Sequence, residues 1–272
     1  MSSLEPVFKF HRGTTPLLVS MPHTGVHIPG AIRENLTDAA LRLPDTDWHL
    51  EMLYNFLHEI GASVIIATHS RYVIDLNRPR DNANLYPGQD TTGLCPLDTF
   101  HRDPIYINHA EPGPEEILQR VHNYWLPYHE QLNAELTRLK QTHGIALLWD
   151  AHSICSRVPR FFDGVLPDFN IGTANGTSCN PGLQDALQKI AEESGYTWAV
   201  NGRFKGGHIT RHYGRPDQQI HSVQLELSEA TYMQEDFPYS FDNTRAERVR
   251  PTLKAFLEQM VQWAGKQSKR TQ

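Results

Sequence analysis

The sequence predicts an α/β fold, a three-layer α/β/α sandwich around a mixed, largely parallel central sheet. Short apolar or β-branched segments alternate with longer helical segments along the 272 residues, and this alternation is typical of sheets covered by helices on both faces. No repeat or low-complexity linker interrupts the chain. We therefore expect one domain over residues 1–272.

Six segments have the composition of strands, because apolar or β-branched residues are bounded by turn residues. They are residues 16–21, 63–68, 72–76, 145–150, 197–200 and 222–227. Four longer segments are predicted helices, near residues 45–60, 114–142, 181–194 and 243–265. Asp45 or Asp47 can cap the first helix, and Gly61 follows its end. Pro127 is expected to kink the second helix.

Composition excludes several classes of partner. The formal net charge of −6 and the pI near 6.2 argue against nucleic acid, which requires a basic surface. No apolar run has the length of a membrane span, and the first 13 residues lack a secretory pattern. Three cysteines without Cys-x-x-Cys spacing favour a reducing compartment. We therefore expect a cytoplasmic protein, and the sequence leaves its oligomeric state open.

Two histidines and a carboxylate at predicted strand ends indicate a hydrolytic metal site. His152 and His23 each follow an apolar strand. The carboxyl ends of strands in an open α/β sheet face the ligand crevice, so both imidazoles are expected there. A catalytic zinc typically takes three protein ligands and leaves one position open. Asp47 is the expected third ligand, with Asp45 as the alternative.

A glutamate in the strand 222–227 is the candidate general base. Alternation sends Val223, Leu225 and Leu227 to one face and Glu226 to the other. A carboxylate within a central strand is costly unless it is paired or near a metal. Glu226 is therefore expected to take a proton from the attacking water and to return it to the leaving nitrogen. The alternative is an edge strand on which Glu226 is solvated.

Two basic segments, residues 71–80 and 203–215, stand out in an acidic chain and predict an anionic substrate. The stretch from about 77 to 113 is rich in Pro, Asp, Asn and Gly, and we expect it to form a cover over the active site. The Gly-rich segment 202–215 is expected to be a mobile lid. Asp150 lies on the same strand face as His152, where it can orient that imidazole or bind a backbone amide.

Together these segments resemble the N-formylglutamate amidohydrolase family of histidine breakdown over about residues 16–232. The order of the motifs along the chain makes the resemblance specific. The motifs are Ser20–Gly25, Asp45–Asp47, Arg71–Arg78, Thr99–Arg102, Trp149–Ser153, Gly206–Arg211 and Leu225–Ser228. That family is similar in turn to zinc carboxypeptidases and cell-wall amidases, which implies a phosphorylase/hydrolase-like, zinc-exopeptidase-like fold.

The resemblance implies the hydrolysis of N-formyl-L-glutamate to formate and L-glutamate, with Zn²⁺ or another divalent metal as cofactor. It implies metal ligands at His23, Asp47 and His152, with Glu226 catalytic. Two groups of polar residues then receive expected roles. Arg71 or Arg211 is expected to stabilise the oxyanion, Asn77 and Arg78 to bind one substrate carboxylate, and Arg211 and His208 to bind the other.

Three alternatives remain open at the level of sequence. The same residues fit a deacylase or carboxypeptidase acting on another acidic N-acyl amino acid, such as succinylglutamate or an acyl-aspartate. Cys155, close to His152, allows a metal-free cysteine amidase. A dicarboxylate-binding protein would use the arginines without any metal. The sequence does not distinguish formyl from larger acyl groups, because one methylene contributes only about 1–3 kcal/mol to selectivity.

Overall fold

The computed structural model describes residues 5–85 and 88–268. Seven strands in the described residues form one mixed sheet in the order β1-β3-β2-β4-β7-β5-β6. Their bounds are β1 Phe8–His11, β2 Leu17–Met21, β3 Ser63–Ala67, β4 Ala146–Ile154, β5 Phe169–Gly172, β6 Trp198–Val200 and β7 Ile220–Ser228.

The four central strands, β3, β2, β4 and β7, run parallel. β1 pairs antiparallel with β3 at one edge, and β5 pairs antiparallel with β7 towards the other. The predicted mixed, largely parallel sheet is therefore confirmed. Both β2 and β4 are buried along their whole length, as strands covered on two faces must be.

Helices lie on both faces of the sheet. They are α1 Gly30–Arg33, α2 Asp38–Leu41, α3 Leu50–Leu53, α4 Leu57–Ile60, α5 Pro114–Arg120, α6 Leu126–His143, α7 Pro181–Glu193, α8 His208–Tyr213 and α9 Asn243–Ser268. One core joins α3, α4, α7 and α9 to the sheet face that carries Leu147 and Trp149. A second core joins α1, α2, α6 and α8 to the face that carries Leu148. These two cores form the predicted three-layer sandwich.

The predicted strand 72–76 is wrong, although the segment is buried. The N–H of Val73 donates to the carbonyl of Ser70 (2.9 Å), and the N–H of Asp75 donates to that of Leu94 (2.7 Å). These are turn and loop contacts, so the segment has no strand partner despite its apolar composition. β1 and β5 were not predicted from the sequence.

Two predicted helices are interrupted. The segment 45–60 contains α3 and α4, and the residue before α3 is His49, with φ of 62°. Neither Asp45 nor Asp47 caps α3, whereas Gly61 ends α4 in the left-handed conformation as predicted. The segment 114–142 contains a π-helical turn at Val121–Trp125, immediately before Pro127. A turn of this kind accommodates the missing proline N–H.

The segment from 77 to 113 contains neither a helix nor a strand of the sheet in its described part. In the chain as described, no helix has the length and apolar character needed to cross a bilayer.

Candidate active site

His23 and His152 lie side by side at the carboxyl ends of β2 and β4. β4 continues to Ile154, past the predicted end at residue 150, so His152 lies within the strand and pairs directly opposite Glu226 of β7. The backbone N–H of Asp47 donates to the carbonyl of His23 (3.1 Å). This bond brings the Asp47 side chain next to the two imidazoles. The side chains of His23, Asp47, His152 and Glu226 are all buried.

The ligand atoms of His23, Asp47 and His152 form a compact triangle. The two Nδ1 atoms are 3.2 Å apart, Nδ1 of His152 is 3.2 Å from Oδ2 of Asp47, and Nδ1 of His23 is 3.7 Å from that oxygen. Ligands about 2.0–2.1 Å from a tetrahedral zinc ion would be roughly 3.3 Å apart. The three ligand atoms are therefore spaced as they would be around one shared divalent cation.

The Nε2 atoms of the two imidazoles point away from this triangle, each towards a buried carboxylate. Nε2 of His23 lies 2.7 Å from Oδ1 of Asp75, and Nε2 of His152 lies 3.0 Å from Oδ2 of Asp150. An ionised carboxylate only accepts hydrogen bonds, so Nε2 of His23 carries the proton and its Nδ1 presents a lone pair. Nε2 of His152 lies between Asp150 and the Asn77 amide, whose Nδ2 is 3.0 Å away and can only donate. The Nδ1 atoms of both imidazoles and the Asp47 carboxylate face one another.

Buried charge supports the same conclusion. Burial alone raises the pKa of Asp75, but His23 and Arg71 outweigh it and hold that pKa well below its ordinary value. Burial lowers the pKa of His23. Burial also raises the pKa of Glu226 to about 8. The interior thus gathers more acids than Arg71 balances, an environment that favours a bound cation.

Asp45, the alternative third ligand, is occupied elsewhere. Both of its carboxylate oxygens accept the backbone N–H of Phe100, at 3.1 and 3.0 Å. This contact attaches the residue 77–113 segment to the edge of the site. Because Asp45 is outside the triangle and Asp47 is in it, the geometry favours Asp47 as the ligand.

Arg71 lies at the base of the cavity. Its Nη2 donates to Oδ2 of Asp75 (2.8 Å), its Nη1 donates to the carbonyl of Asp45 (3.2 Å), and Nη1 is 4.0 Å from Oδ1 of Asp47. Its Nε is buried and has no hydrogen-bond partner among the residues that the structure describes. A fixed guanidinium beside the triangle can donate to an oxyanion that forms there.

Asn77 and Arg78 also line the cavity. The Asn77 side chain spans two elements, because its Nδ2 lies 3.0 Å from Nε2 of His152 and its Oδ1 accepts the N–H of Ile209 at 2.8 Å. Nε and Nη2 of Arg78 donate to the carbonyl and hydroxyl oxygens of Thr92, at 2.9 and 3.1 Å. Hydrogen bonds therefore hold both side chains in the cavity wall.

The segment 202–215, the predicted lid, contains α8. It contacts the site at Gly207, the residue before that helix. The N–H of Gly207 donates to Oε1 of Gln224 (2.8 Å). A Cβ at Gly207 would lie 2.4 Å from Nδ2 of Asn77, so only glycine permits this approach. His208 packs against His212, with ring centroids 5.0 Å apart, and Nε of Arg211 donates to the carbonyl of Gly206 (2.8 Å). The described residues that line the cavity do not include His208 or Arg211.

Sequence reasoning missed two features of the site. The Asp75 carboxylate accepts hydrogen bonds from both His23 and Arg71. The sequence pattern that could have revealed it is an acidic residue within the apolar run 72–76. The second feature is Phe161, which lies outside the predicted segments. It lines the cavity together with residues of the predicted cover and basic segment, namely Asp90, Phe100, Arg203 and Phe204.

Cys155 lacks the properties of a nucleophile. Its thiol donates to Oε2 of Glu229 (3.2 Å), and burial, with Glu229 beside it, raises the pKa of the thiol far above its ordinary value. The thiolate is the reactive form of cysteine. The structure therefore argues against the cysteine amidase alternative.

The fold and this cluster define a class. A histidine pair, an aspartate and a buried glutamate meet at the strand ends of a three-layer α/β sandwich, an arrangement suited to hydrolysis with a divalent metal. The family model described as N-formylglutamate amidohydrolase matches residues 15–233. The chain belongs to the N-formylglutamate amidohydrolase family.

Relatives in sequence and structure agree with this assignment. The chain is 48% identical over 268 residues to the N-formylglutamate deformylase of Pseudomonas putida, covering 98% of this chain and 100% of the relative. It is 48% identical over 261 residues to that of Pseudomonas aeruginosa PAO1, covering 96% and 98%. The crystal structure of N-formylglutamate amidohydrolase from Ralstonia eutropha JMP134 matches with a TM-score of 0.81 at 26% identity, covering 95% and 98%.

Proposed function

We propose that this protein hydrolyses N-formyl-L-glutamate to formate and L-glutamate. The observation that carries the proposal is the convergence of His23, Asp47 and His152 opposite Glu226, in a cavity that is also lined by arginines. The relatives named N-formylglutamate deformylase supply the substrate. An anionic substrate agrees with basic groups concentrated at one cavity of a chain with net charge −6.

The metal we propose is zinc or another divalent cation held by His23, Asp47 and His152. When bound, such a cation polarises the scissile carbonyl and makes water more acidic. Asp75 and Asp150 lie 2.7 and 3.0 Å from the two Nε2 atoms, so in this scheme they hold the imidazoles with Nδ1 directed at the cation. This carboxylate–histidine arrangement is the usual support of a histidine ligand.

Glu226 is the proposed general base and acid. It lies directly across from His152 in the sheet and lines the cavity. Burial raises the pKa of Glu226 to about 8, close to neutral pH, where a group that must both accept and donate a proton works best. The same proton is then available to the nitrogen as the carbon–nitrogen bond breaks, which releases an amine rather than an amide anion.

Three side chains position the substrate in this scheme. Arg71, fixed by Asp75, donates to the oxygen that becomes negative in the tetrahedral intermediate. Asn77 and Arg78 bind the α-carboxylate, which lies next to the scissile bond. We place the reaction in histidine breakdown, as the family resemblance implies, and in the cytoplasm, because three cysteines without Cys-x-x-Cys spacing favour a reducing compartment.

Metal analysis combined with a formate-release assay tests this proposal. We expect about one equivalent of divalent metal per chain, formate release from N-formyl-L-glutamate, and loss of turnover after chelation with recovery on adding Zn²⁺. N-acetyl- and N-succinyl-glutamate serve as matched substrates. Chelator-resistant turnover would reject the metal, and preferential release of acetate or succinate would reject the formyl substrate.

A further inference from the structure

The two carboxylates that lie behind the histidines are held in different ways. Asp75 is fixed from three directions. Its Oδ1 lies 2.7 Å from Nε2 of His23 and accepts the backbone N–H of Asn77 at 2.8 Å. Its Oδ2 accepts Nη2 of Arg71, also at 2.8 Å. The loss of any one of these contacts would leave two others in place.

Asp150 depends on fewer contacts. Oγ1 of Thr210 donates to its Oδ2 (3.3 Å), the oxygen that also lies 3.0 Å from Nε2 of His152. The other oxygen, Oδ1, is buried and accepts no hydrogen bond from any residue that the structure describes. A buried carboxylate requires donors, so the position of Asp150 depends strongly on Thr210.

Packing fixes the Thr210 hydroxyl. Thr210 lies in α8 and is completely buried. A Cβ at Gly206 would lie 2.9 Å from Cγ2 of Thr210, so the threonine methyl group lies directly on the glycine backbone. Because a β-branched side chain has few allowed rotamers, the position of the methyl group also determines where the hydroxyl points. α8 therefore presents a fixed donor to Asp150.

The position of Asp150 has a chemical consequence at His152. Nε2 of His152 has two neighbours at 3.0 Å, Oδ2 of Asp150 and Nδ2 of Asn77. The carboxylate accepts a proton from Nε2, which leaves a lone pair on Nδ1, whereas the amide donates to Nε2 and favours the proton on Nδ1. Only the first arrangement offers Nδ1 to a cation.

We propose that Thr210 is a positioning residue of the metal site, whose hydroxyl holds the Asp150 carboxylate against Nε2 of His152 and so keeps Nδ1 available to a divalent cation. This inference rests on the proposed function, from which it takes the metal. It gives α8 a role in metal binding that the sequence did not suggest.

The zinc affinity of the metal-free protein tests the proposal. The chain is stripped with a chelator and titrated with Zn²⁺ against a chromophoric competitor. Thr210→Val keeps nearly the same shape without the hydroxyl. We expect its affinity to fall about 5- to 50-fold, somewhat less than for loss of the carboxylate itself. Thr210→Ser keeps the donor and should stay within about threefold of the wild type.

A double-mutant cycle shows whether the effect passes through Asp150. In an Asp150→Ala background the hydroxyl has no carboxylate to hold, so Thr210→Val should change the zinc affinity by less than about twofold. If Thr210→Val does not fold, Thr210→Ala replaces it in the same cycle.

Ser63→Ala is the matched control. The Ser63 hydroxyl also donates to a buried carboxylate, that of Glu135. Ser63 is the first residue of β3, so this contact lies at the amino ends of the parallel strands, whereas the histidines lie at the carboxyl ends. We expect Ser63→Ala to keep the wild-type zinc affinity.

The outcomes separate this inference from the proposed function. Wild-type affinity in Thr210→Val overturns the role of Thr210, as does an equal loss in Ser63→Ala or an undiminished loss in the Asp150→Ala background. A wild-type chain that binds zinc but releases no formate from N-formyl-L-glutamate rejects the proposed substrate alone. A wild-type chain that binds no divalent metal rejects both proposals.

Discussion

The floor and the roof of the cavity are built in different ways. The floor consists of side chains on or next to strands, including His152 and Glu226, which face each other across β4 and β7. The roof consists of loop residues, such as Phe161 and Arg203, held by carbonyl oxygens and aromatic contacts. Rigid strands suit groups that must meet a reacting atom within a fraction of an ångström. Loops suit groups that recognise the rest of the substrate.

The floor should control the rate of chemistry, and Glu226→Gln is the strongest test. We expect kcat to fall about 10²- to 10⁴-fold, because the amide cannot take a proton from water. Metal content should stay at the wild-type level, because Glu226 is outside the triangle. Rapid-quench or steady-state formate release, with metal analysis of the same preparation, gives both values.

Glu229→Gln is the matched control for that variant. Glu229 is also a buried glutamate, but it lies past the end of β7 and contacts Cys155. We expect it to retain most of the wild-type kcat. A large loss in Glu229→Gln together with a small loss in Glu226→Gln would exchange the two assignments.

Substitution of Asp75 or Asp150, the carboxylates behind the two histidines of the floor, should have the next largest effect on metal affinity or activity. In Asp75→Asn, His23 and Arg71 lose a charged acceptor at 2.7 and 2.8 Å. We expect metal affinity or activity to fall about 10- to 100-fold, as for other carboxylates behind a histidine ligand. Competition with a chromophoric chelator measures the affinity, and Asp150→Asn gives the same test for His152. Wild-type affinity in both variants would mean that the carboxylates do not orient the imidazoles.

Substitutions in the roof should change KM rather than kcat. Arg160→Met is the substitution with the smallest expected effect. Arg160 joins two loops, because its Nη1 donates to Oδ1 of Asp98 and to the carbonyl of Thr99, both at 2.8 Å. Its carboxylate partners are partly exposed, so we expect a two- to fivefold rise in KM, with kcat about unchanged.

Lys254→Met, which removes an ion pair with Glu59 on the surface, is the control for Arg160→Met and should leave KM unchanged. A larger loss in kcat than in KM for Arg160→Met would show that the roof also positions the reacting groups. The distinction between the two regions would then fail.

The sequence alone predicted the elements in which apolar residues recur with a clear period. Alternation in β7 predicted the faces correctly, because Val223, Leu225 and Leu227 all enter one core. The abrupt change from apolar to polar residues predicted that His23 and His152 meet at the strand ends. The buried segment 72–76 was misread, since apolar composition alone does not distinguish a strand from a buried loop.

Other features depend on contacts between distant segments. α3 begins after His49, whose Nε2 lies 2.6 Å from the carbonyl of Tyr239, a contact that no local pattern reveals. The roof combines loops near residues 90, 161 and 203, none of which has a periodicity that predicts its neighbours. Asp47 and Asp45 were alike in sequence. The contact of Asp45 with Phe100 and the place of Asp47 in the triangle separate them.

Gly207 sets the clearance between the segment before α8 and Asn77. Its hydrogen atom occupies the space where a methyl group would overlap the Asn77 amide, so one atom determines how closely these two parts of the chain approach. An alanine at this position would force the Asn77 amide or the segment before α8 to move. The contact of Asn77 with His152 would then be disturbed by one methyl group that touches neither strand.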